Sequence, residues 1–350
     1  MAVEPHKVFI TADAVGGVWQ YTLDLTRALV RAGADVMVAT MGPRPDEAQR
    51  EEMLAVGRVQ LIESDFALEW MPNPWGDVDA ASEWLLAAAR DWEPEVIHLN
   101  GYAHASLLWG KPVVVVAHSC VCSWWRAVHA EPAGEEWSEY RRRVREGLLA
   151  ANTVIAPSAF MASCIAHDYG LPLNRVRVIH NGSEAPLAPI RPKQNVIFAA
   201  GRRWDRAKNL DLLERIALKL DWELRIAGGQ LSRPQLLTEM QRSGIFAHAA
   251  LYEPFGLAVV EAARAGNCLV LSDIPSMREL WDGAAIFIDP RDEQRWISEL
   301  NRLSRDGSAR EDFATAAQRR SLAYNIEAFA RSYLDVYRSL MMRAKSEVAA

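Results

Sequence analysis

Short apolar runs rich in valine and isoleucine recur along the first half of the chain, each followed by a longer stretch in which apolar residues return every three or four positions. Runs without polar alternation describe strands covered on both faces, and the helical period between them describes the helices that cover them. The spacing predicts strands over residues 8–12, 35–40, 59–62, 96–99, 113–117, 153–156 and 176–179. The clearest amphipathic helices fall at 19–31 and 135–149, with Gly33 placed where a helix end favours a left-handed residue.

After His180-Asn181-Gly182 the pattern breaks into a polar run bearing Pro186, Pro189 and Pro192, the mark of a linker. The rhythm then resumes, with strands expected at 195–200, 223–227, 245–249, 269–272 and 285–288. Helices are expected at 209–220, 234–242 and 255–265, and again from Asp292 onward. The chain therefore reads as α/β, with two tandem Rossmann-like domains at 1–185 and 195–324 and a last helix over about 325–350. In such open parallel sheets, ligands sit outside the carboxyl ends of the strands.

Composition narrows the partners. The 350 residues carry a net charge of −6, which disfavours a nucleic-acid binder. Residues 1–185 hold 15 basic against 24 acidic side chains, the remainder 24 against 21, so the second half suits an anionic ligand better. Cys120, Cys122, Cys164 and Cys268 follow no framework spacing and read as reduced thiols, with no metal site implied. The N-terminus enters a strand almost at once and no apolar stretch is long enough for a membrane span, which reads as cytoplasmic.

Three segments carry candidate chemistry. Tyr252-Glu253-Pro254-Phe255-Gly256-Leu257 leads into Val259-Val260-Glu261, two carboxylates eight positions apart around a helix start. Pro254 suits a helix's first turn, and Gly256 admits a ligand to free backbone N–H groups, so the turn is a phosphate site. Glu253 can accept from sugar hydroxyls and Glu261 from ribose hydroxyls. The second segment, Gly201-Arg202-Arg203-Trp204-Asp205-Arg206-Ala207-Lys208-Asn209, follows a strand directly. Fixed cations there stabilise charge on a departing phosphate oxygen. Arg202 and Lys208 are the candidates, whereas Arg203 and Arg206 read as surface charges. The third, Asp13-Ala14-Val15-Gly16-Gly17-Val18-Trp19, lets Gly16 and Gly17 approach a phosphate or acceptor but lacks dinucleotide-motif spacing.

These segments, together with Val96-Ile97-His98-Leu99-Asn100-Gly101, Ala117-His118-Ser119, Ala156-Pro157-Ser158, Val178-Ile179-His180-Asn181-Gly182 and Asp273-Ile274-Pro275-Ser276-Met277-Arg278-Glu279-Leu280, resemble the retaining glycosyltransferases of family four, the glycogen synthase-like or group 1 glycosyltransferases. The resemblance spans nearly the whole chain. It implies a GT-B fold of two facing Rossmann-like domains with parallel sheets and a C-terminal helix crossing back to the N-domain. It implies transfer of a sugar from a UDP-, GDP-, ADP- or TDP-sugar to an acceptor hydroxyl, with retention and without metal or other cofactor. The family's catalytic groups fall on His118, Arg202, Lys208 and Glu253. Its donor-binding groups fall on Gly16, Gly17, Phe255, Gly256, Leu257 and Glu261. The returning helix would press Ala328, Tyr333, Val336, Tyr337 and Leu340 onto the N-domain. Two departures stand out: the segment between Gly228-Gly229 and Glu253 is short where the family has a further strand and helix around the nucleotide base, and Ala247-His248-Ala249-Ala250 replaces the usual proline-serine.

Asp77-Val78-Asp79 has the form of a metal-binding D-x-D, but it opens a helical stretch, where aspartate is expected to cap the backbone. Arg141-Arg142-Arg143-Val144-Arg145 leaves peripheral membrane contact open, and Trp124, Trp125 and Trp137 could stack on an acceptor or serve core packing. Two other readings stand beside the transferase: a degenerate, non-catalytic nucleotide-sugar binder, and a nucleotide-sugar epimerase or phosphorylase.

Overall fold

A computed structural model describes residues 5–348. The chain divides into two compact units. One takes the residues up to Ser123, Pro132–Gly182 and the segment from Ile326; the other takes Trp124–Glu131 and Ser183–Asn325.

The first unit is built on seven parallel strands: β1 (Lys7–Asp13), β2 (Asp35–Met41), β3 (Val59–Glu63), β4 (Val96–Leu99), β5 (Val113–Val116), β6 (Thr153–Ala156) and β7 (Val176–Val178). Their spatial order is β3-β2-β1-β4-β5-β6-β7. Every interior residue of β1 is buried, as the unbroken apolar run requires. The order reverses between β1 and β4, so the loops after Asp13 and Leu99 open side by side at the sheet's carboxyl edge.

The second unit carries five parallel strands: β8 (Gln194–Ala200), β9 (Glu223–Ala227), β10 (Ser243–His248), β11 (Cys268–Ser272) and β12 (Ile286–Ile288), in the order β12-β11-β10-β8-β9. Here the reversal falls between β8 and β10. Only the helix Arg233–Arg242 separates β9 from β10, which leaves β9 at the sheet's edge.

Boundaries differ from expectation where local chemistry overrides period. The helix expected at 255–265 begins at Leu257, because Gly256 holds φ at 85° and ψ at 68°, outside the right-handed helical region. Pro254 therefore lies in the loop and not in a first helical turn. The helix expected at 77 begins at Trp75, so Asp77 does not cap it; its carboxylate instead accepts from Ala67 N at 2.9 Å.

The last helix, Ile326–Val348, packs on the helix Gly17–Arg31 within the first unit. Tyr333, Val336, Tyr337 and Leu340 lie in the core with Ile326 and Phe329, while Ala328 is only half-buried. This interior also holds a polar group. His98, on β4, is 0 % exposed, with Nε2 3.2 Å from Tyr21 Oη and Nδ1 2.6 Å from Tyr337 Oη. Hydroxyls satisfy both ring nitrogens, but burial disfavours the imidazolium and pushes its pKa down to about 3.

A base whose folded pKa lies below its unfolded value takes up protons first in the unfolded chain. Stability contributed by neutral His98 is therefore complete above about pH 6.5 and is lost as pH falls toward about 3. The expected loss at pH 5 is about 2 kcal/mol. Urea unfolding from pH 8 to pH 5 checks this: the decline should be shallower in His98→Gln than in the wild type, and equal slopes would contradict the assignment.

Candidate active site

In the second unit the reversal point is closed by hydrogen bonds between two loops. β8 runs into a turn in which Asp205 accepts from Ala207 N at 3.1 Å, followed by the short 3-10 segment Arg206–Lys208. Asn209 ends it in the left-handed region at φ 51°, a conformation that asparagine tolerates better than most residues. Its side-chain Nδ2 donates to Ala249 O and Pro290 O, each at 2.9 Å, and Leu251 N donates to Ala207 O at 2.8 Å. The turn is thereby sewn to the chain leaving β10.

The result is a direct ion pair: Lys208 Nζ lies 2.6 Å from Glu253 Oε2, with the two side chains 17 % and 13 % exposed. Gly201 makes room for it, since a Cβ there would come 3.1 Å from both Cβ and Cγ of Lys208. Ser276 Oγ donates to Glu253 O at 2.5 Å and holds the loop backbone. Burial alone would raise the Glu253 carboxyl, but the Lys208 charge and the neighbouring His248 ring outweigh it and hold the group well below the usual carboxylate range. Glu253 is thus an ionised carboxylate in a water-poor site.

Arg202 is turned elsewhere. Its Nη2 bonds Asp205 Oδ2 at 2.8 Å, its Cζ lies 4.9 Å from the Trp204 ring centre, and its buried Nε has no hydrogen-bond partner. Arg203 and Arg206 are exposed, and Arg203 pairs with Glu214. Trp124 Nε1 donates to Asp205 Oδ1 at 3.2 Å, and Trp125 packs on His129 with ring centres 4.5 Å apart. Phe255, Gly256 and Leu257 form the entry to the helix Leu257–Arg264, with Phe255 packed edge-on against Tyr324. Glu261 lies inside that helix, buried, with Oε1 2.9 Å from Arg233 Nε. Burial raises its carboxyl more than Arg233 lowers it.

In the first unit, Gly16 (φ 76°) and Gly17 are exposed at the start of the helix after β1. His118 follows β5, half-buried, with its ring edge-on to Tyr21 at 4.4 Å. Asn100 Nδ2 donates to Thr11 O at 2.7 Å and to Thr22 Oγ1 at 3.1 Å, so the atom facing His118 Nε2, at 2.9 Å, is the amide oxygen. An amide oxygen only accepts. Nε2 therefore carries the proton and Nδ1 keeps its lone pair. Burial, with the adjacent His98, pushes the ring down to about 3, so it is neutral near pH 7.

Asp79 pairs with Arg143, and among the described residues no cluster of three His, Cys, Asp or Glu side chains could hold a metal ion. The basic run is engaged by its surroundings: Arg141 bonds Ala133 O and Gly134 O, Arg142 pairs with Glu139 and Glu146, and Arg145 bonds Tyr169 O. No helix among the described residues is long and apolar enough to cross a membrane. Four contributors were given no role by the sequence reading: Gly201, Asn209 and Ser276, which it quoted only within motifs, and Arg233. Of these, Asn209 left a signal of its own, an asparagine at a turn before a helix.

Comparison with known proteins agrees with this architecture. Residues 15–184 match the family model described as Glycosyltransferase Family 4, and residues 193–320 match Glycosyl transferases group 1. The chain belongs to the GT-B glycosyltransferases. It is 24 % identical to a glycogen synthase of Mycobacterium tuberculosis over 376 aligned residues, covering 87 % of this chain and 86 % of the relative. Among solved structures, the fold of this GT-B chain is similar to that of a sucrose-phosphate synthase from Thermosynechococcus elongatus, with a TM-score of 0.79, 16 % identity and coverage of 97 % and 100 %. It is similar also to HepE of Anabaena in complex with UDP and glucose, with a TM-score of 0.75, 18 % identity and coverage of 96 % and 100 %.

The Gly256 turn offers a test of how tightly Glu253 is held. A Cβ at Gly256 would sit 3.1 Å from Val259 Cγ2 and 3.3 Å from Glu253 Cγ, whereas one at Gly283, also at positive φ, would meet nothing within 4 Å. Gly256→Ala and Gly283→Ala should each lose about 1–2 kcal/mol from left-handed strain. If Glu253 acts on the donor, Gly256→Ala should in addition lower transfer activity by about tenfold or more, since a misplaced group costs that much. Thermal unfolding and activity assays of the two variants separate strain from crowding; equal activity in both would remove the proposed link.

Proposed function

We propose that this glycosyltransferase moves a glycosyl group from a nucleoside diphosphate sugar to an acceptor hydroxyl, with retention at the anomeric carbon and without a metal ion. The observation that carries the reading is the Lys208–Glu253 pair at the carboxyl edge of the second sheet. An ammonium has three N–H donors and Glu253 takes one, which leaves two for the oxygens of a diphosphate. Arg202 adds a planar cation whose donors are only partly used by Asp205. Together they supply the counter-charge that a divalent cation gives in other transferases.

In this mechanism the acceptor oxygen attacks the anomeric carbon on the face from which the phosphate departs. The bond from that carbon to the phosphate oxygen breaks, and the departing oxygen takes the acceptor's proton. No protein nucleophile is required. Glu253 fixes a sugar hydroxyl through its ionised carboxylate, while Phe255, Gly256 and Leu257 present backbone to the donor. Glu261, with Arg233 beside it, meets the ribose. His118, neutral and with Nδ1 as acceptor, can orient a sugar hydroxyl but is not an acid near pH 7. Gly16 and Gly17 leave the helix start after β1 open to a phosphate or acceptor.

Nucleotide release from UDP-, GDP-, ADP- and TDP-sugars, with and without EDTA, tests the reading, and NMR of the product's anomeric proton tests retention. The expected outcome is EDTA-insensitive turnover of one donor class with the donor's configuration preserved. Lys208→Ala should lower kcat by about 10²- to 10³-fold, the usual effect of removing one charge-stabilising donor. Donor binding without turnover, an inverted product, or full activity in Lys208→Ala would each overturn the corresponding part.

A further inference from the structure

We infer that His248 is a positioning residue for Glu253, helping to hold the carboxylate in place when a diphosphate draws on the other donors of Lys208. The inference rests on the glycosyl-transfer reading above and goes beyond it, because it gives a role to a side chain that the reaction itself does not touch.

The geometry is specific to the end of β10. His248 is its last residue, 4 % exposed, in parallel register with Leu271 of β11. Its ring lies nearly parallel to that of Phe246, two positions earlier on the same face, with centres 6.3 Å apart and planes 12° apart. That stacking fixes the direction of Nε2, which lies 3.4 Å from Glu253 Oε2, the same oxygen that Lys208 Nζ holds at 2.6 Å. Nε2 makes no hydrogen bond in this arrangement. A buried ring nitrogen without a partner is costly, and only a small adjustment would let it donate to the carboxylate.

Lys208 and, after that adjustment, His248 would both hold Oε2 and leave Oε1 for a sugar hydroxyl. With the backbone held by Ser276, side-chain rotation is the freedom that remains to Glu253. Were Lys208 its sole support, a diphosphate sharing the same ammonium would weaken the hold on the carboxylate at the moment it must orient a sugar hydroxyl. His248 removes that conflict. The charged and titratable groups acting on Glu253 are Lys208, from the turn after β8, and His248, from the end of β10. Both favour the ionised carboxylate against burial.

The test compares the full-length wild type with His248→Leu, which removes the donor, and His248→Gln, which keeps an N–H at similar reach. Carbon-13 NMR follows the Glu253 side-chain carboxyl through a pH titration, assigned by difference with Glu253→Gln, with and without saturating UDP. In His248→Leu the titration should move to higher pH, more so with UDP bound, because burial is then less opposed; in His248→Gln it should stay closer to wild type. Steady-state rates should show kcat about 10- to 100-fold lower in His248→Leu with donor KM changed less than about threefold, most of kcat recovered in His248→Gln, and the acidic limb of kcat/KM displaced upward in His248→Leu. An unmoved carboxyl titration in His248→Leu, or equal damage in both variants, overturns the inference. Should His248→Leu fail to fold, His248→Gln decides: a carboxyl titration and kcat near wild type support the inference, and loss of either rejects it. Absence of turnover in the wild type with every donor would strike the glycosyl-transfer reading, while the carboxyl titration still decides the role of His248.

Discussion

The candidate site depends on one constraint: the turn after β8 must stay fastened to the chain leaving β10. Asn209 reaches two carbonyls, Ala249 O and Pro290 O, and Leu251 N closes onto Ala207 O. Neither loop contains enough regular structure to hold its own shape. Each is ordered by the other, and both hang from adjacent parallel strands whose register is set by buried apolar residues. The placement of Lys208 against Glu253 is a consequence of that fastening and not its cause. The chemistry is therefore built on backbone and amide hydrogen bonds that hold their geometry whichever way the lysine points.

An ion pair of two largely buried groups is weak evidence of a stabilising role, because desolvating both charges offsets most of their attraction. The Lys208–Glu253 pair is better understood as stored charge. The carboxylate is kept ionised where burial alone would protonate it, and on the proposed reading the ammonium is kept next to where a diphosphate would arrive. Electrostatic preorganisation of this kind lowers a barrier because the dipoles and charges need no rearrangement during the reaction. Arg202 is organised differently, through Asp205 and the Trp204 ring, so the two cations of one loop are held by separate partners and can respond to a ligand independently.

The strands were legible because a parallel strand buried on both faces leaves an unmistakable apolar run: the expected 96–99, 153–156 and 223–227 coincide with β4, β6 and β9. Helix starts were less so. Gly256 marked a ligand-facing turn in the sequence, yet its left-handed conformation also expelled Pro254 and Phe255 from the helix, which residue period alone does not register. The motif residues were named from type and spacing, but their partners were not. Lys208 and Glu253 are 45 positions apart, and no local rule says that one will find the other, since the lysine was assigned to a phosphate and the carboxylate to sugar hydroxyls. His248 stood in the sequence only as part of a departure from a proline-serine pair, since the direction of its ring is set by Phe246 and by the strand end.

The short segment before β10 has an electrostatic effect. With only one helix between β9 and β10, the chain turns at Gly228-Gly229 straight into Ser232 and its capping box with Gln235, which puts Arg233 at the first helical position. From there its guanidinium reaches Glu261, a carboxylate inside the next helix that burial pushes toward the protonated form. A buried carboxylate has to be neutral or partnered. Arg233 supplies the partner, so the first turn of this helix, and not a further strand and helix, offsets part of the burial of the second carboxylate. On the proposed reading a ribose entering beside Glu261 meets a carboxylate and a guanidinium together, an acceptor and a donor, which matches the dual character of a hydroxyl better than a lone carboxylate would. The short segment and the arginine at its boundary thus act together in how this chain would grip its donor.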